Sequence, residues 1–205
     1  MFTGFKTTLA ATACAVACLP CFATVEMEME GIALDDSVQV AGRHLKLNGA
    51  GVSKRLIFKV YALGLYLSDH RATVQGVFEA EGPRRLAIAM LRDVSGVDFS
   101  EALLDYVAAE RASLQEGVAV GMLHLGKAIA SQPQGLRKGD ILTLDWVPGT
   151  GTLVELNKKP LTAPLRDIAV YNALLNIWLG EKPADPALKT KLLGRPPIIR
   201  TVSTF

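Results

Sequence analysis

The stretch that most constrains the fold is KRLIFKVYALGLYL, residues 54–67. It is rich in β-branched, aromatic and leucine side chains, which suit the half-buried surface of a sheet. We therefore predict one long β-strand over Lys54–Leu67. Gly64 lies in its middle, where a glycine indicates a bulge or the close approach of another backbone.

Shorter strands are predicted on the N-terminal side of this stretch. Ser37–Val40 and His44–Leu47 flank Ala41-Gly42 and predict a hairpin. Residues 48–51, NGAG, predict a second turn. Residues 25–30, VEMEME, alternate apolar and acidic side chains, the period of two of a strand with one wet face; an unordered segment is the alternative.

A strand and two helices are predicted next on the C-terminal side. The strand covers Arg85–Arg92, where apolar residues nearly alternate. The first helix is expected to begin at a cap provided by Asp98, with Glu101 completing a capping box. The second helix lies within Ser113–Ser131.

The remainder of the chain predicts a hairpin and two more helices. The hairpin strands are Asp140–Val147 and Thr152–Leu156, and the helices are Ile168–Leu179 and Pro186–Leu193, each followed by a glycine. Arg195–Phe205 is predicted to be a loose tail. Strands, helices, a hairpin and helices in this order predict an α+β fold, with a curved antiparallel sheet covered by helices on one face.

Residues 1–23 have the pattern of a secretory signal peptide. Lys6 precedes an unbroken small and apolar run, Thr7–Leu19, and residues 21–23, CFA, place small residues at the −3 and −1 positions of a cleavage site. The run is shorter than the roughly 20 residues needed to cross a bilayer. We therefore expect cleavage after Ala23 and a periplasmic or secreted protein.

All three cysteines lie inside this predicted signal peptide, at Cys14, Cys18 and Cys21. The chain after Ala23 would therefore have no disulfide, and its stability would come from an ordinary core. Two alternatives remain open: a lipid attached to Cys14 or Cys18, and an uncleaved membrane anchor.

The composition after residue 23 predicts one globular domain over residues 24–194. Lys6 is one of 22 cations, so 21 remain against 20 acids, a net charge of +1. A near-neutral chain without a basic stripe argues against nucleic acid as a partner. A second apolar stretch of about 20 residues is absent, so no transmembrane segment is expected after cleavage. Trp146 and Trp178 lie at apolar positions and are predicted core residues.

We expect neither a metal nor a cofactor. His44, His70 and His124 are far apart in the sequence and share no metal-ligand spacing. His124 lies between Leu123 and Leu125 on an apolar helix, where a partly buried, hydrogen-bonded histidine is expected rather than a haem ligand.

Five stretches give the sequence a resemblance to a known family. In order and spacing they resemble the chalcone isomerase-like proteins, in particular their secreted bacterial branch. The stretches are residues 48–52 (NGAGV), 58–67 (FKVYALGLYL), 91–95 (LRDVS), 138–152 (KGDILTLDWVPGTGT) and 177–183 (IWLGEKP). The resemblance implies an open-faced β-sandwich, with a long antiparallel sheet against a helical layer and a ligand cleft between them.

The plant enzymes of this family close a flavanone ring, which needs a cation for the phenolate and donors for the developing enolate. Matching the stretches residue by residue puts their strand threonine at Tyr61 and their helix tyrosine at Phe99. Their helix asparagine falls on Tyr106, and the arginine of bacterial relatives falls on Ser53. Phe99 has no hydroxyl, so the plant catalytic set is mostly missing and its chemistry is not expected here.

Fatty-acid-binding relatives of the fold hold a carboxylate with an arginine and a tyrosine. Here Tyr61 would supply the hydroxyl, and Arg55 or Lys54 the charge. On one unbroken strand Arg55 would share the face of Tyr61 about 20 Å away, whereas Lys54 would point to the other face. Arg55 is therefore the preferred cation.

These residues predict a protein that binds a small amphipathic or hydrophobic ligand, such as a fatty acid, in the cleft between sheet and helices. The ligand-binding residues are expected to be Lys54, Arg55, Tyr61, Phe99 and Tyr106. Two other classes remain open. One is an isomerase, an intramolecular lyase, acting on an enone-like substrate; the other is a structural or partner-binding protein with a filled cleft.

Overall fold

The computed structural model describes residues 26–29, 32–55, 57–110 and 114–194. The predicted signal peptide, residues 1–23, and the predicted tail, residues 195–205, lie outside the described residues. Among the helices of the described residues, none combines the length and the apolar character required to cross a membrane.

The strands and helices of the described part follow one another in blocks. The strands are β1 (Glu26–Met29), β2 (Ile32–Asp35), β3 (Ser37–Val40), β4 (Arg43–Arg55), β5 (Phe58–Leu67), β6 (Arg84–Met90), β7 (Ile141–Val147), β8 (Gly151–Leu156) and β9 (Lys159–Pro160). The helices are α1 (Val74–Phe78), α2 (Gly96–Ala109), α3 (Glu116–Ala130), α4 (Ile168–Leu179) and α5 (Pro186–Leu193).

Strands β3 to β9 form one seven-stranded antiparallel sheet in which every strand pairs with its neighbours in the chain. The sheet curls into a half-barrel, and β1 and β2 form a separate two-stranded sheet. The α+β class and the curved antiparallel sheet predicted from the sequence are confirmed. Short turns join β3 to β4, β4 to β5, β7 to β8 and β8 to β9, whereas α1 lies between β5 and β6, and α2 and α3 lie between β6 and β7.

The two faces of the sheet bury different side chains. On β5, Leu63 and Leu65 belong to the main core, which includes residues of α2, α3, α4 and α5. The alternating residues Ala62 and Tyr66 belong to two smaller clusters on the opposite face, one of which includes Leu34 of β2. The helices therefore cover one face, and β2 contributes to covering the other.

The helices α4 and α5 are confirmed residue for residue. Asp167 caps α4 by accepting the Ala169 N–H at 2.8 Å, and Asp185 caps α5 by accepting from the N–H groups of Ala187 and Leu188, both at 3.0 Å. Such side-chain oxygens satisfy the free donors of a first helical turn. The hairpin at Ala41-Gly42 is also confirmed, with φ angles of 48° and 75° at the two turn residues.

The predicted cap at Asp98 is wrong. Helix α2 begins earlier, at Gly96, and Ser95 is its N-cap, with its hydroxyl oxygen accepting the Asp98 N–H at 2.9 Å. Ser and Asp are both common N-cap residues, so residue type alone does not show whether Ser95 or Asp98 caps the helix. Helix α1 and strand β2 were not predicted.

The predicted turn at residues 48–51 is also wrong, because these residues continue strand β4. Their small side chains serve packing instead. A Cβ atom on Gly49 would lie 2.3 Å from the carbonyl oxygen of Lys191, so α5 approaches the strand at backbone distance there. Asn48 sits at a register shift between Leu47 and Gly49 and is buried.

The side chain of Asn48 forms hydrogen bonds that connect β4 to two other parts of the chain. Its amide nitrogen donates to the carbonyl oxygens of Leu192 at 2.8 Å and Arg71 at 3.0 Å, and its amide oxygen accepts the Arg71 N–H at 2.7 Å. One buried side chain therefore joins β4, α5 and the segment after β5.

The prediction of one long strand over Lys54–Leu67 is wrong at its N-terminal end. Lys54 and Arg55 end β4, and β5 begins at Phe58 and runs antiparallel to it. The local preference for an extended chain holds on both sides of this hairpin, so composition did not reveal the reversal.

Candidate functional site

Tyr61 lies near the start of β5, on the face of the sheet that the helices cover. Its backbone neighbours across the sheet are Ser53 on β4 and Met90 on β6. The side chain is half-buried and packs against the main core. Ser53, where bacterial relatives are expected to carry an arginine, is therefore directly opposite Tyr61 and is itself buried.

Helix α4 places Trp178 against Tyr61. The indole Nε1–H donates to the Tyr61 hydroxyl oxygen at 2.9 Å, and the two rings meet edge to face with centroids 6.5 Å apart. The Ser53 hydroxyl is also within hydrogen-bonding reach of the Tyr61 hydroxyl. Because Trp178 can only donate, the Tyr61 hydroxyl keeps its own proton for an acceptor.

The pKa of Tyr61 is raised above its usual value. Burial is the main cause and the negative charge of Asp185 adds to it, while the hydrogen bonds from Ser53 and Trp178 act in the opposite direction. The phenol therefore stays protonated at neutral pH. This arrangement suits a hydrogen-bond donor to a carboxylate or carbonyl oxygen better than a base.

Arg55 and Lys54 lie at the exposed end of β4, and Arg55 pairs with Phe58 across the hairpin. A register shift separates Ser53 from Lys54. The expectation that Arg55 lies about 20 Å from Tyr61 on one unbroken strand is wrong, because the chain reverses between them. Phe58 is three residues from Tyr61, so Arg55 is about 10 Å from Tyr61 along the strand direction.

Phe99 and Tyr106 lie on α2, which packs mainly against α3. Both side chains are half-buried against the main core. Burial and the nearby charge of Glu110 raise the pKa of Tyr106 to about 12. The hydrogen bonds and ring contacts described for Tyr61 join it to Ser53 and Trp178, not to these two residues.

Trp178 was predicted as a core residue, and it is buried. The sequence analysis missed its second role as the hydrogen-bond donor to Tyr61. One signal was available, since a buried tryptophan usually finds a partner for its N–H. Asp185 was also missed, because its charge reaches Tyr61 only through the placement of α5.

The three histidines are exposed, including His124 on α3, so the expectation of a partly buried His124 is wrong. Within the described residues, no group of three or more His, Cys, Asp or Glu side chains is arranged to hold a metal ion.

A large cavity lies on the other face of the sheet. This outer groove measures about 900 Å³, and residues of β2, β3, β5, β6, β7 and β8 line it, among them Val38, Tyr66, Arg85 and Thr143. Its volume falls within the range of small-molecule sites. Arg85 is bound there by both carboxylate oxygens of Asp145, at 2.6 and 2.5 Å.

Two smaller cavities, of about 350 and 190 Å³, lie beside Pro133 and between α3 and α4. None of these three cavities is lined by Tyr61.

Comparison with known proteins agrees with this architecture. The crystal structure of a fatty-acid binding protein from Arabidopsis thaliana superposes with a TM-score of 0.62 at 14% sequence identity, covering 83% of this chain and 95% of that chain. A likeness at this identity shows the fold. A search of curated proteins found no match. A family model described as chalcone isomerase-like matches residues 26–194, and the chain therefore belongs to the chalcone isomerase-like family.

Proposed function

We propose that this protein binds a small amphipathic molecule with an acidic head group, such as a fatty acid, without transforming it. The head group would lie at Tyr61 and the apolar part between sheet and helices. The fold similarity to a fatty-acid binding protein supports this proposal.

The observation that carries the proposal is the hydrogen-bond arrangement at Tyr61. Trp178 donates to the Tyr61 hydroxyl oxygen, and burial keeps the Tyr61 phenol protonated. The phenol O–H is therefore suited to donate to an anionic or carbonyl oxygen of a ligand. A donor preorganised in a partly buried site binds such an oxygen more strongly than the same group in water.

Arg55 is the proposed partner for the charge of the head group. It is exposed at the end of the same hairpin, and its guanidinium can bind both oxygens of a carboxylate, which the ammonium of Lys54 cannot do. We expect Arg55→Ala to weaken fatty-acid binding by about 1–3 kcal/mol, the range of a lost charge-assisted hydrogen bond, and Lys54→Ala to change it little.

Isothermal titration calorimetry of delipidated protein with palmitate tests the proposal. Tyr61→Phe removes the donor and should weaken binding about tenfold, for a loss near 1.4 kcal/mol. Tyr66→Phe is the matched control, because it removes a hydroxyl from the opposite face of the same strand. Ligand entry beside Trp178 should also change tryptophan fluorescence, and Trp178→Phe should abolish that change.

Three results would contradict this placement. Loss of affinity in Tyr66→Phe but not in Tyr61→Phe would move the ligand to the outer groove. Absence of binding by the wild type would favour a structural or partner-binding role. Conversion of an enone-containing ligand during titration would favour the isomerase alternative.

We further propose that the protein acts outside the cytoplasm after cleavage following Ala23. N-terminal sequencing of the exported protein should then begin at Thr24. A lipid-modified cysteine as the first residue, or retention of residues 1–23, would contradict this prediction.

A further inference from the structure

Two large apolar side chains protrude at the tip of the β4–β5 hairpin. Ile57 is 84% exposed and Phe58 is 55% exposed, the two highest values among the large hydrophobic residues of the described part. They are adjacent in the chain. Scattered exposed apolar residues need no explanation, but two neighbours on a protruding tip form a small apolar surface that water solvates poorly.

Cationic side chains surround this tip. Lys54 and Arg55 are exposed at the end of β4, and Arg55 pairs with Phe58 in the register. Arg92 is exposed after β6, with its guanidinium carbon 5.3 Å from the centre of the Phe58 ring. Three cations and two apolar side chains therefore lie together, and we call these five residues the hairpin tip.

Asp93, the acidic residue next to Arg92 in the sequence, forms its hydrogen bonds with Arg137 and Lys138. The Asp93 carboxylate binds the Arg137 guanidinium at 2.9 Å and the Lys138 N–H at 2.8 Å. These bonds hold the pKa of Asp93 below its usual value, so the carboxylate is charged and bound to another loop. The positive charge of Arg92 is thus not cancelled by its neighbour.

The combination points to an anionic lipid surface. Cations bind phosphate head groups, while short apolar side chains at a protruding point enter the boundary between head groups and acyl chains. A hairpin tip is convex, so it does not enclose a small molecule.

We propose that the hairpin tip docks this protein onto membranes that contain anionic phospholipids. Ile57 and Phe58 enter the interface, and Lys54, Arg55 and Arg92 bind phosphates. Tyr61 is three residues from Phe58 along β5, so docking directs the Tyr61 end of the molecule towards the lipid. Arg55 is shared with the proposed ligand site, but Ile57, Phe58 and Arg92 are not, so vesicle binding and ligand binding are tested by separate measurements.

Flotation of the protein from residue 24 onward with vesicles tests this inference. We expect binding to phosphatidylglycerol–phosphatidylethanolamine vesicles at low salt, a loss of at least tenfold at high salt, and no binding to pure phosphatidylcholine. Each cation near an anionic surface contributes about fivefold, so Lys54→Gln with Arg55→Gln should weaken binding about 25-fold. Ile57→Ser with Phe58→Ser should weaken it at least tenfold.

Matched controls use the same residue types elsewhere on the surface. Arg43→Gln with Lys46→Gln removes two exposed cations towards the other end of β4, and Val120→Ser with Leu123→Ser removes two exposed apolar side chains of α3. Both controls should bind vesicles like the wild type. All variants change exposed residues, so their thermal unfolding should match the wild type within a few degrees.

Two outcomes would overturn the inference. One is the absence of binding by the wild type to the anionic vesicles at low salt. That result is also expected if the hairpin tip binds a protein partner instead of a membrane. The other is equal loss of binding in the control pairs and the tip pairs. Palmitate affinity measured without vesicles decides the proposed ligand site separately.

Discussion

At the scale of single residues, the residue-by-residue match to the plant enzymes predicts small chemical differences in this protein. Phe99 lies where a tyrosine is expected and has no donor to offer, and Ser53 lies where bacterial relatives are expected to carry an arginine. Ser53 is buried directly opposite Tyr61. The site therefore carries a phenol at Tyr61, where the match predicts the threonine of the plant enzymes, and it lacks a cation at the position of Ser53.

We expect no flavanone formation from naringenin chalcone above the spontaneous rate. Loss of a single oxyanion donor typically lowers a rate by about 10²–10³, and here the donor at Phe99 and the cation at Ser53 are both absent. Chiral chromatography of the product measures the reaction. A single enantiomer formed at low protein concentration would contradict the prediction. Phe99→Tyr with Ser53→Arg is not expected to restore full activity.

Two adjacent arginines on β6 show how position alone separates residues of one type. Arg84 faces the helices and is 1% exposed; it donates to the carbonyl oxygens of Val77 and Phe78 and lies over the ring of Tyr171. Arg85 faces the other side and binds Asp145. Because side chains alternate along a strand, neighbours of the same type acquire opposite environments.

At the scale of elements, the contact between β4 and α5 depends on glycine. A Cβ atom on Gly49 would lie 2.3 Å from the carbonyl oxygen of Lys191 and 2.5 Å from that of Leu192. Those are backbone atoms of a helix, so they move only if α5 moves. Gly51 is next on the same face, and a Cβ atom there would meet the side chain of Leu188 at 2.7 Å.

Gly49→Ala should therefore lower the free energy of unfolding by about 3 kcal/mol, the upper part of the usual range for overpacking, because backbone cannot yield as a side chain can. Chemical denaturation measures the change. Gly117→Ala on α3 is the control: a Cβ atom there meets nothing within 4 Å, and alanine favours a helix by up to about 1 kcal/mol. Equal effects of the two substitutions would contradict this account of α5 packing.

At the scale of the whole molecule, three tyrosines, the buried Tyr66 and Tyr171 and the half-buried Tyr61, make the fold sensitive to alkali. Burial is the main cause of the raised pKa of Tyr61, Tyr66 and Tyr171. The unfolded chain releases these protons near pH 10, whereas the folded protein retains them. Folding is therefore favoured below about pH 10, and that contribution is lost as the pH rises through the folded pKa values.

We expect the free energy of unfolding to fall above about pH 10, by about 1.4 kcal/mol per pH unit for each of these tyrosines. Urea titrations at successive pH values measure the slope. Tyr171→Phe should make the slope shallower by that amount. It should change stability little at neutral pH, because the Tyr171 hydroxyl is buried without a hydrogen-bond partner among the described residues. An unchanged slope would contradict the assignment.

Local sequence determined several elements by itself. Helices α4 and α5 were predicted with their exact bounds, since an apolar stripe and a terminal glycine act within one element. The β3–β4 hairpin followed from Ala41-Gly42, and the α+β class from the order of strands and helices. These features depend on neighbours along the chain, and such neighbours are visible in a sequence.

Only the tertiary structure decided which residues meet. Residues 48–51 resemble a turn because they are small. In the structure their small side chains allow α5, from a distant part of the chain, to pack closely against β4. Residues 54–67 favour an extended chain throughout, and the reversal between Arg55 and Phe58 leaves that preference unchanged. The hydrogen bond between Trp178 and Tyr61 joins residues 117 positions apart. Such contacts depend on how elements pack. Packing brings together side chains that are far apart in the sequence, and local composition does not show which of them will meet.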